Sequence, residues 1–204
     1  MLHRRFLLTA AASLGVAHWR SARAESASDR ATAFVKATGD KLVGIINGSS
    51  PGQQRRQALT RVIDSAVDVD GVARFCLGRF WRQASPVQQK SYLEVFHGVL
   101  VTNITAKLGE YQGVKYTINR AVPDGDNVKV DTTVMRPNNP ATDVQWVIEN
   151  ASNDPKIIDV IAEGTSLRLT QRSDYASYLS HNNDSIDALI SAMRQEVEQN
   201  RANG

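Results

Sequence analysis

The sequence predicts an α+β fold: a curved antiparallel sheet of four or more strands, packed against helices that come before and after it in the chain. Three observations carry the prediction. Residues 26–108 hold their apolar side chains at helical spacing, interrupted by Gly48-Ser49-Ser50-Pro51-Gly52 and by Ser85-Pro86. From Gly113 the spacing drops to two and persists across turn-rich breaks. After Gly164 helical spacing returns. A meander of this kind has one apolar face, and the flanking helices are the only apolar surfaces large enough to cover it.

Residues 26–46 form an amphipathic helix with Phe34, Leu42, Ile45 and Ile46 toward the core, residues 53–66 a second helix and residues 70–77 a short third. Ser85 before Pro86 is a strong helix start, a capping side chain followed by a residue whose missing N–H is not needed in the first turn. The helix it opens should run to Leu108. Tyr92, Leu93, Val95, Phe96, Val99, Leu100, Val101 and Ile104 cover about two thirds of its circumference, more than the stripe of a surface helix. It must be buried on two sides, either as a central core helix or with part of its surface lining an internal apolar cavity. Val114, Tyr116 and Ile118 then alternate with polar residues, as do Val128, Val130, Thr132 and Val134, and later Val144, Trp146 and Ile148. Turns at Pro123-Asp124-Gly125-Asp126, Arg136-Pro137-Asn138-Asn139-Pro140 and Asn153-Asp154-Pro155 separate these strands from each other and from a fourth over 157–162. Helices over 166–179 and 185–198 close the chain, with Tyr175, Leu179, Leu189 and Met193 among their packing residues.

The first 24 residues have a basic start (His3, Arg4, Arg5), an uncharged run over 6–17 and an Ala22-Arg23-Ala24 ending, which is the pattern of a cleaved secretory signal. The run of about 12 residues is short of the roughly 20 that span a bilayer. Arg4-Arg5 leaves the Sec and twin-arginine routes both open. The expected mature chain, 25–204, is a single periplasmic domain with a helical part over 25–110, the sheet over 113–163 and closing helices over 164–198. Cleavage would remove four arginines and no acid, taking the formal charge from +3 to −1. Such a chain lacks the electrostatic footprint of a nucleic-acid binder. Cys76 is the only cysteine, so no internal disulfide can form.

Catalytic constellations are missing. The sequence has no metal-spaced Cys or His cluster, no G-x-S-x-G elbow, no P-loop and no G-x-G-x-x-G. Asp68 with Asp70 and Asp124 with Asp126 sit in turn-like sequence, where aspartate serves turn geometry. His97 lies on the long helix without a partner that the sequence identifies. No catalytic, metal or cofactor residue is assigned, and the chain is read as a non-enzyme.

Two stretches resemble a known family. Leu77-Gly78-Arg79-Phe80-Trp81-Arg82-Gln83-Ala84-Ser85-Pro86, with Gln88, is similar to the LG-(R/K)-x-W-R-x-A-(T/S)-P-x-Q segment of the MlaC or toluene-tolerance family. Asp159-Val160-Ile161-Ala162-Glu163-Gly164-Thr165-Ser166-Leu167, followed by Arg172-Ser173-Asp174-Tyr175, resembles its second segment, D-V-x-x-E-G-x-S-L with a downstream R-(S/N)-(E/D)-(F/Y). Thr165, Asp174 and Val87 depart from the pattern where valine, glutamate and an acid are expected.

The resemblance implies an NTF2-like body that holds phospholipid acyl chains between sheet and helices. It also implies a periplasmic shuttle docking transiently with an inner-membrane ABC transporter complex and an outer-membrane lipoprotein complex. On that reading the candidate cavity residues are Phe75, Trp81, Tyr92, Phe96, Val99, Leu100, Tyr116, Ile118, Val130, Val134, Trp146, Ile148 and Val160, each of which ordinary core packing would also explain. Arg79, Arg82 and Arg172 either contact a head group or partner, or form structural ion pairs with Asp70, Glu163 or Asp174. A hopanoid or other polycyclic lipid is an alternative cargo. A small NTF2-like hydrolase or isomerase, and a pure adaptor with a filled core, are alternatives of other classes.

Overall fold

The computed structural model describes residues 26–106 and 108–202, so the expected signal over 1–24 lies outside the described residues. Helix α1 (Ala27–Asn47) opens on a reciprocal cap: Ser26 Oγ accepts from Asp29 N at 3.1 Å, and the Asp29 carboxylate accepts from Ser26 N at 3.2 Å. Helix α2 (Gly52–Ala66) follows, then α3 (Val69–Leu77), capped by Asp68 through Gly71 N at 3.0 Å. A 3₁₀ turn over Gly78–Arg82 leads to α4 (Pro86–Ala106). The Ser85-Pro86 start behaves as expected: Ser85 Oγ accepts from Gln88 N at 3.2 Å, and Gln88 Oε1 accepts from Ser85 N at 2.9 Å. The long helix ends at Ala106, and residues through Leu108–Tyr111 tighten into a second 3₁₀ turn.

Strands β1 (Lys115–Asp124), β2 (Asn127–Met135), β3 (Thr142–Glu149), β4 (Lys156–Ala162) and β5 (Thr165–Ser166) follow one another across a single antiparallel sheet. β1 runs for ten residues, well beyond the alternation over 114–119. A bulge between Ile118 and Arg120 puts one extra residue into the strand and shifts the parity, so the apolar pattern restarts at Ala121. Gly125, at φ +61°, opens the two-residue link to β2. The short β5 was not expected; Glu163 at φ +50° and Gly164 at φ +79° fold the chain back to make it.

Helices α5 (Leu167–His181) and α6 (Ile186–Ala202) complete the chain. The helices divide into two groups. α1 lies over the sheet, where Ala31 and Val35 pack with Val128, Val130, Ile148 and Ile157. α5 and α6 instead join α3 and α4 in a separate apolar body built from Leu77, Phe80, Tyr92, Phe96, Tyr175, Leu179, Leu189 and Met193. A small third cluster, Leu59, Ile63 and Val101, seats α2 against α4. The two-sided burial expected of α4 is met by α2 on one side and by α3 and α6 on the other. No described helix is long and apolar enough to cross a membrane.

Leu179 is fully buried in the helical body. Leu179→Ala should lower the unfolding free energy by about 3 kcal/mol, from lost transfer energy plus the cavity left behind, as measured by urea denaturation.

Candidate functional site

Most of the predicted lining residues fall into three packed groups. Ile118, Val130, Trp146, Ile148 and Val160 come together on the sheet beneath α1, with Phe34 at their margin. Val130 and Ile148 are fully buried, whereas Phe34, Ile118, Trp146 and Val160 are only partly so. Trp146 is oriented by its indole, which donates to Thr132 Oγ1 at 3.0 Å; that buried hydroxyl in turn donates to Val144 O at 3.0 Å. Val134 is half-buried near the end of β2. Tyr92, Phe96 and Val99 belong to the helical body, with Phe75 and Trp81 packed partly buried against it. There the rings of Tyr92, Phe96 and Tyr175 meet with centroids 5.9 to 6.4 Å apart, and Tyr92 Oη donates to Ala73 O at 2.8 Å. Leu100 sits with the α2–α4 cluster.

Tyr116 fastens α1 to the sheet. Its hydroxyl lies 2.9 Å from Lys36 O and 2.8 Å from Asp40 Oδ1, and its ring rests where a Cβ on Gly39 would come within 2.6 Å. Glycine at 39 is what allows so close an approach. Burial, and then the bond to Asp40, push the phenol up to about 12. Hydrogen bonds from Lys36 and then Tyr116 hold the Asp40 carboxyl below its ordinary value.

The two signature stretches, far apart in sequence, meet at one place. Asp159 on β4 is buried and accepts from Ser166 Oγ (2.6 Å), Val160 N (2.8 Å) and Arg168 N (3.2 Å), with Arg168 Nε 3.4 Å away in an ion pair. Arg168 and Arg172, one turn apart, both stack over Phe75 of α3, at 4.5 and 5.0 Å. Gly78 holds φ +60° and ψ −127°, and the Arg172 guanidinium lies 3.2 Å from where its Cβ would be. A side chain there would be strained by the positive φ and would press on the arginine.

Among the described residues Arg79, Arg82 and Arg172 make none of the ion pairs with Asp70, Glu163 or Asp174 that were open to them. Asp70 pairs with Arg74 at 3.5 Å, Arg79 stacks on Phe80 at 4.8 Å, and Arg172 stacks on Phe75. Sequence reasoning missed Arg168, the arginine that does pair with a buried acid. Its signal was present: the two-residue reversal pairs Ser166 with Ile161, two residues on from Asp159, and the Ser166 hydroxyl reaches diagonally to that carboxylate, which brings the start of α5 onto it.

Other chemistry-bearing groups are accounted for by structure. His97 Nε2 lies 2.6 Å from Asp64 Oδ1 and joins α4 to α2 at the surface. Cys76 is buried, and burial pushes its thiol up to about 12, away from nucleophilic use. Among the described residues no group of His, Cys, Asp and Glu could hold a metal ion. Glu149 is the acid set apart: burial, then the Asp68 carboxylate beside it, raise its carboxyl above the ordinary glutamate range.

The chain is an α+β body with an open five-stranded antiparallel sheet and an apolar cluster packed between that sheet and α1. The chain matches the family described as MlaC protein over residues 36–195, and it belongs to that family. It is similar to the toluene tolerance protein ttg2D of Pseudomonas putida, with 28% identity over 142 residues, covering 69% of this chain and 66% of that one. The match thus spans just under two thirds of the relative's length. Among solved structures, a phospholipid-binding protein of Ralstonia solanacearum, determined in complex with a phospholipid, shares the fold. The TM-score is 0.69 at 24% identity, covering 84% of this chain and 98% of that one.

Two stability tests follow from this geometry. Asp159→Ala strands a partly buried guanidinium and several backbone and hydroxyl donors, and should cost about 3–5 kcal/mol in urea denaturation. The Glu149 carboxyl, raised in the folded state, is favoured below its ordinary range and loses stability as pH rises through its folded value. Glu149→Gln should therefore raise Tm at neutral pH, with the gain fading as pH falls and vanishing only well below the ordinary glutamate range, where the folded and unfolded carboxyls are both protonated.

Proposed function

We propose that the chain is a non-enzymatic lipid carrier that holds the acyl chains of a phospholipid between α1 and the sheet. The observation that carries this reading is the set of partly buried apolar side chains, Phe34, Ile118, Trp146 and Val160, packed against a fully buried centre at Val130 and Ile148. A finished core buries such groups; a seam roofed by one helix leaves room for added apolar volume to be accepted there. Membership of the MlaC family supports the reading, as does a fold shared with a protein determined with phospholipid bound.

The energetics match the task. Each methylene taken from water is worth about 0.8 kcal/mol, so a pair of tails of roughly 16 carbons carries on the order of 20 kcal/mol of apolar transfer energy. Lipid cannot cross an aqueous compartment unshielded. In this proposal the mature protein works in the periplasm after export. It exchanges its cargo by transient docking with an inner-membrane ABC transporter complex and an outer-membrane lipoprotein complex, and so serves outer-membrane lipid asymmetry. The Tyr92, Phe96 and Val99 face of α4 belongs on this reading to the scaffold, because its rings pack on Tyr175. Trp146 at the seam suits a rigid ring system as well as a tail, so a hopanoid-type cargo is the second reading.

Native mass spectrometry of protein purified without detergent, followed by lipid extraction, tests the proposal. Phospholipid at near one-to-one occupancy is the expected result, polycyclic lipid masses would change the cargo, and a clean apo mass with no uptake from vesicles would overturn the carrier reading. Val160→Trp, which fills the seam at a half-exposed position, should abolish copurifying lipid while leaving the far-UV spectrum and cooperative melting intact.

A further inference from the structure

We infer that the first turn of α5 and the neighbouring Gly78–Arg82 turn form a docking surface for an anionic lipid bilayer. The inference rests on the carrier reading and names the surface from which such a carrier would collect or release its cargo. Leu167 and Leu169 stand 52% and 56% exposed, while the inward side of α5 is taken by Tyr175 and Leu179. Arg168 lies between the two leucines and Arg172 one turn beyond, both over the half-buried ring of Phe75. The Arg172 guanidinium rests against Gly78, which leads directly into Arg79 and Arg82. Among the described residues Arg79, Arg82 and Arg172 have no carboxylate within ion-pair distance, because the local acids are engaged or turned away. Asp159 is buried under Arg168, Asp70 is paired with Arg74, and Asp174 lies about 200° round the helix from Arg172. Glu163, exposed in the turn before β5, and Glu149, near enough to Arg168 to feel its charge, are the negative charges bordering this end.

Charge complementarity makes the occupant anionic, and the layout of the apolar groups favours a bilayer. The leucines flank the arginines on two sides and do not gather into one anchor. A protein hot spot wants clustered, often aromatic, side chains entering a pocket. A fluid head-group layer accepts aliphatic side chains one at a time while guanidinium groups pair with its phosphates.

The test is cosedimentation with vesicles of equal parts phosphatidylglycerol and phosphatidylethanolamine, against vesicles of phosphatidylcholine alone. It uses the purified protein and two double variants at exposed positions, Leu167→Ser with Leu169→Ser and Arg79→Gln with Arg82→Gln, each confirmed as folded by its melt. Binding to the anionic vesicles that weakens with salt and falls about tenfold in either variant is the expected result. Equal partition onto both vesicle types, or variants that bind like the parent, overturns the proposal. Protein that ignores vesicles but is retained on immobilised polyglutamate, with the same sensitivity to the variants, has an acidic protein as its partner, which also overturns it. Copurifying lipid is read by mass spectrometry on the same preparations. Lipid-loaded protein that ignores vesicles overturns the docking surface and leaves the carrier reading standing. Lipid-free protein that binds vesicles through these residues yet takes up no lipid from them supports the docking surface and overturns the carrier reading.

Discussion

The buried carboxylate of Asp159 is the constraint on which the arrangement of the two halves depends. A charge taken out of water is costly unless its lone pairs are filled, and here a hydroxyl, two backbone N–H groups and a guanidinium surround it. Those donors come from β4 itself, from the residue that caps α5 and from the first turn of α5. Satisfying one acid therefore fixes where the last helix pair leaves the sheet. Arg168 carries the constraint onward by stacking on Phe75, and Cys76 Sγ, 3.6 Å from Arg168 O, lies on the same seam. The reversal through Glu163 and Gly164, both at positive φ, is what lets Ser166 reach back. The helical body is thus attached to the sheet by a polar lock, while its own stability comes from apolar packing.

That division gives the fold two apolar compartments with different characters. In the helical body the large rings meet edge to face, and Tyr92 and Leu179 are fully enclosed. Over the sheet, α1 presents the small or short residues Ala31, Val35 and Thr38 and is held near its middle by the Tyr116 hydroxyl. Gly39 deepens this contact by letting the ring lie on the helix backbone. A scaffold that is stiff in one compartment and thinly roofed in the other can keep its shape while its contents change.

Much of this was legible in the sequence. Helical and strand spacing located nearly every element, and Ser85-Pro86 marked the start of α4 to the residue. What periodicity cannot state is the partner of an apolar face. α5 and α6 read as covers for the sheet; α5 does touch β4, but the apolar faces of both helices pack mainly on α3 and α4, because amphipathicity says that a face is buried and not against what. The same gap scattered the candidate lining: Tyr92 and Phe96 are as apolar as Trp146 and Ile148, but only the latter lie under α1. β1 was read short because the bulge after Ile118 breaks the two-residue period in the middle of a continuous strand. Arg172 stood out as a motif residue, whereas Arg168 became visible only once the β4 to β5 reversal brought it over Asp159.

The same bulge bears on how an open sheet survives at high concentration. β1 hydrogen-bonds to β2 alone, so the outer side of this ten-residue strand is an unpaired edge. Such edges template strand-by-strand growth into fibrils. Here the kink after Ile118 interrupts the straight run of donors and acceptors, Lys115 and Arg120 place like charge along it, and Pro123 removes a donor near the tip. An incoming copy of the strand would find only short stretches in register, and the sheet can stay open without being closed into a barrel.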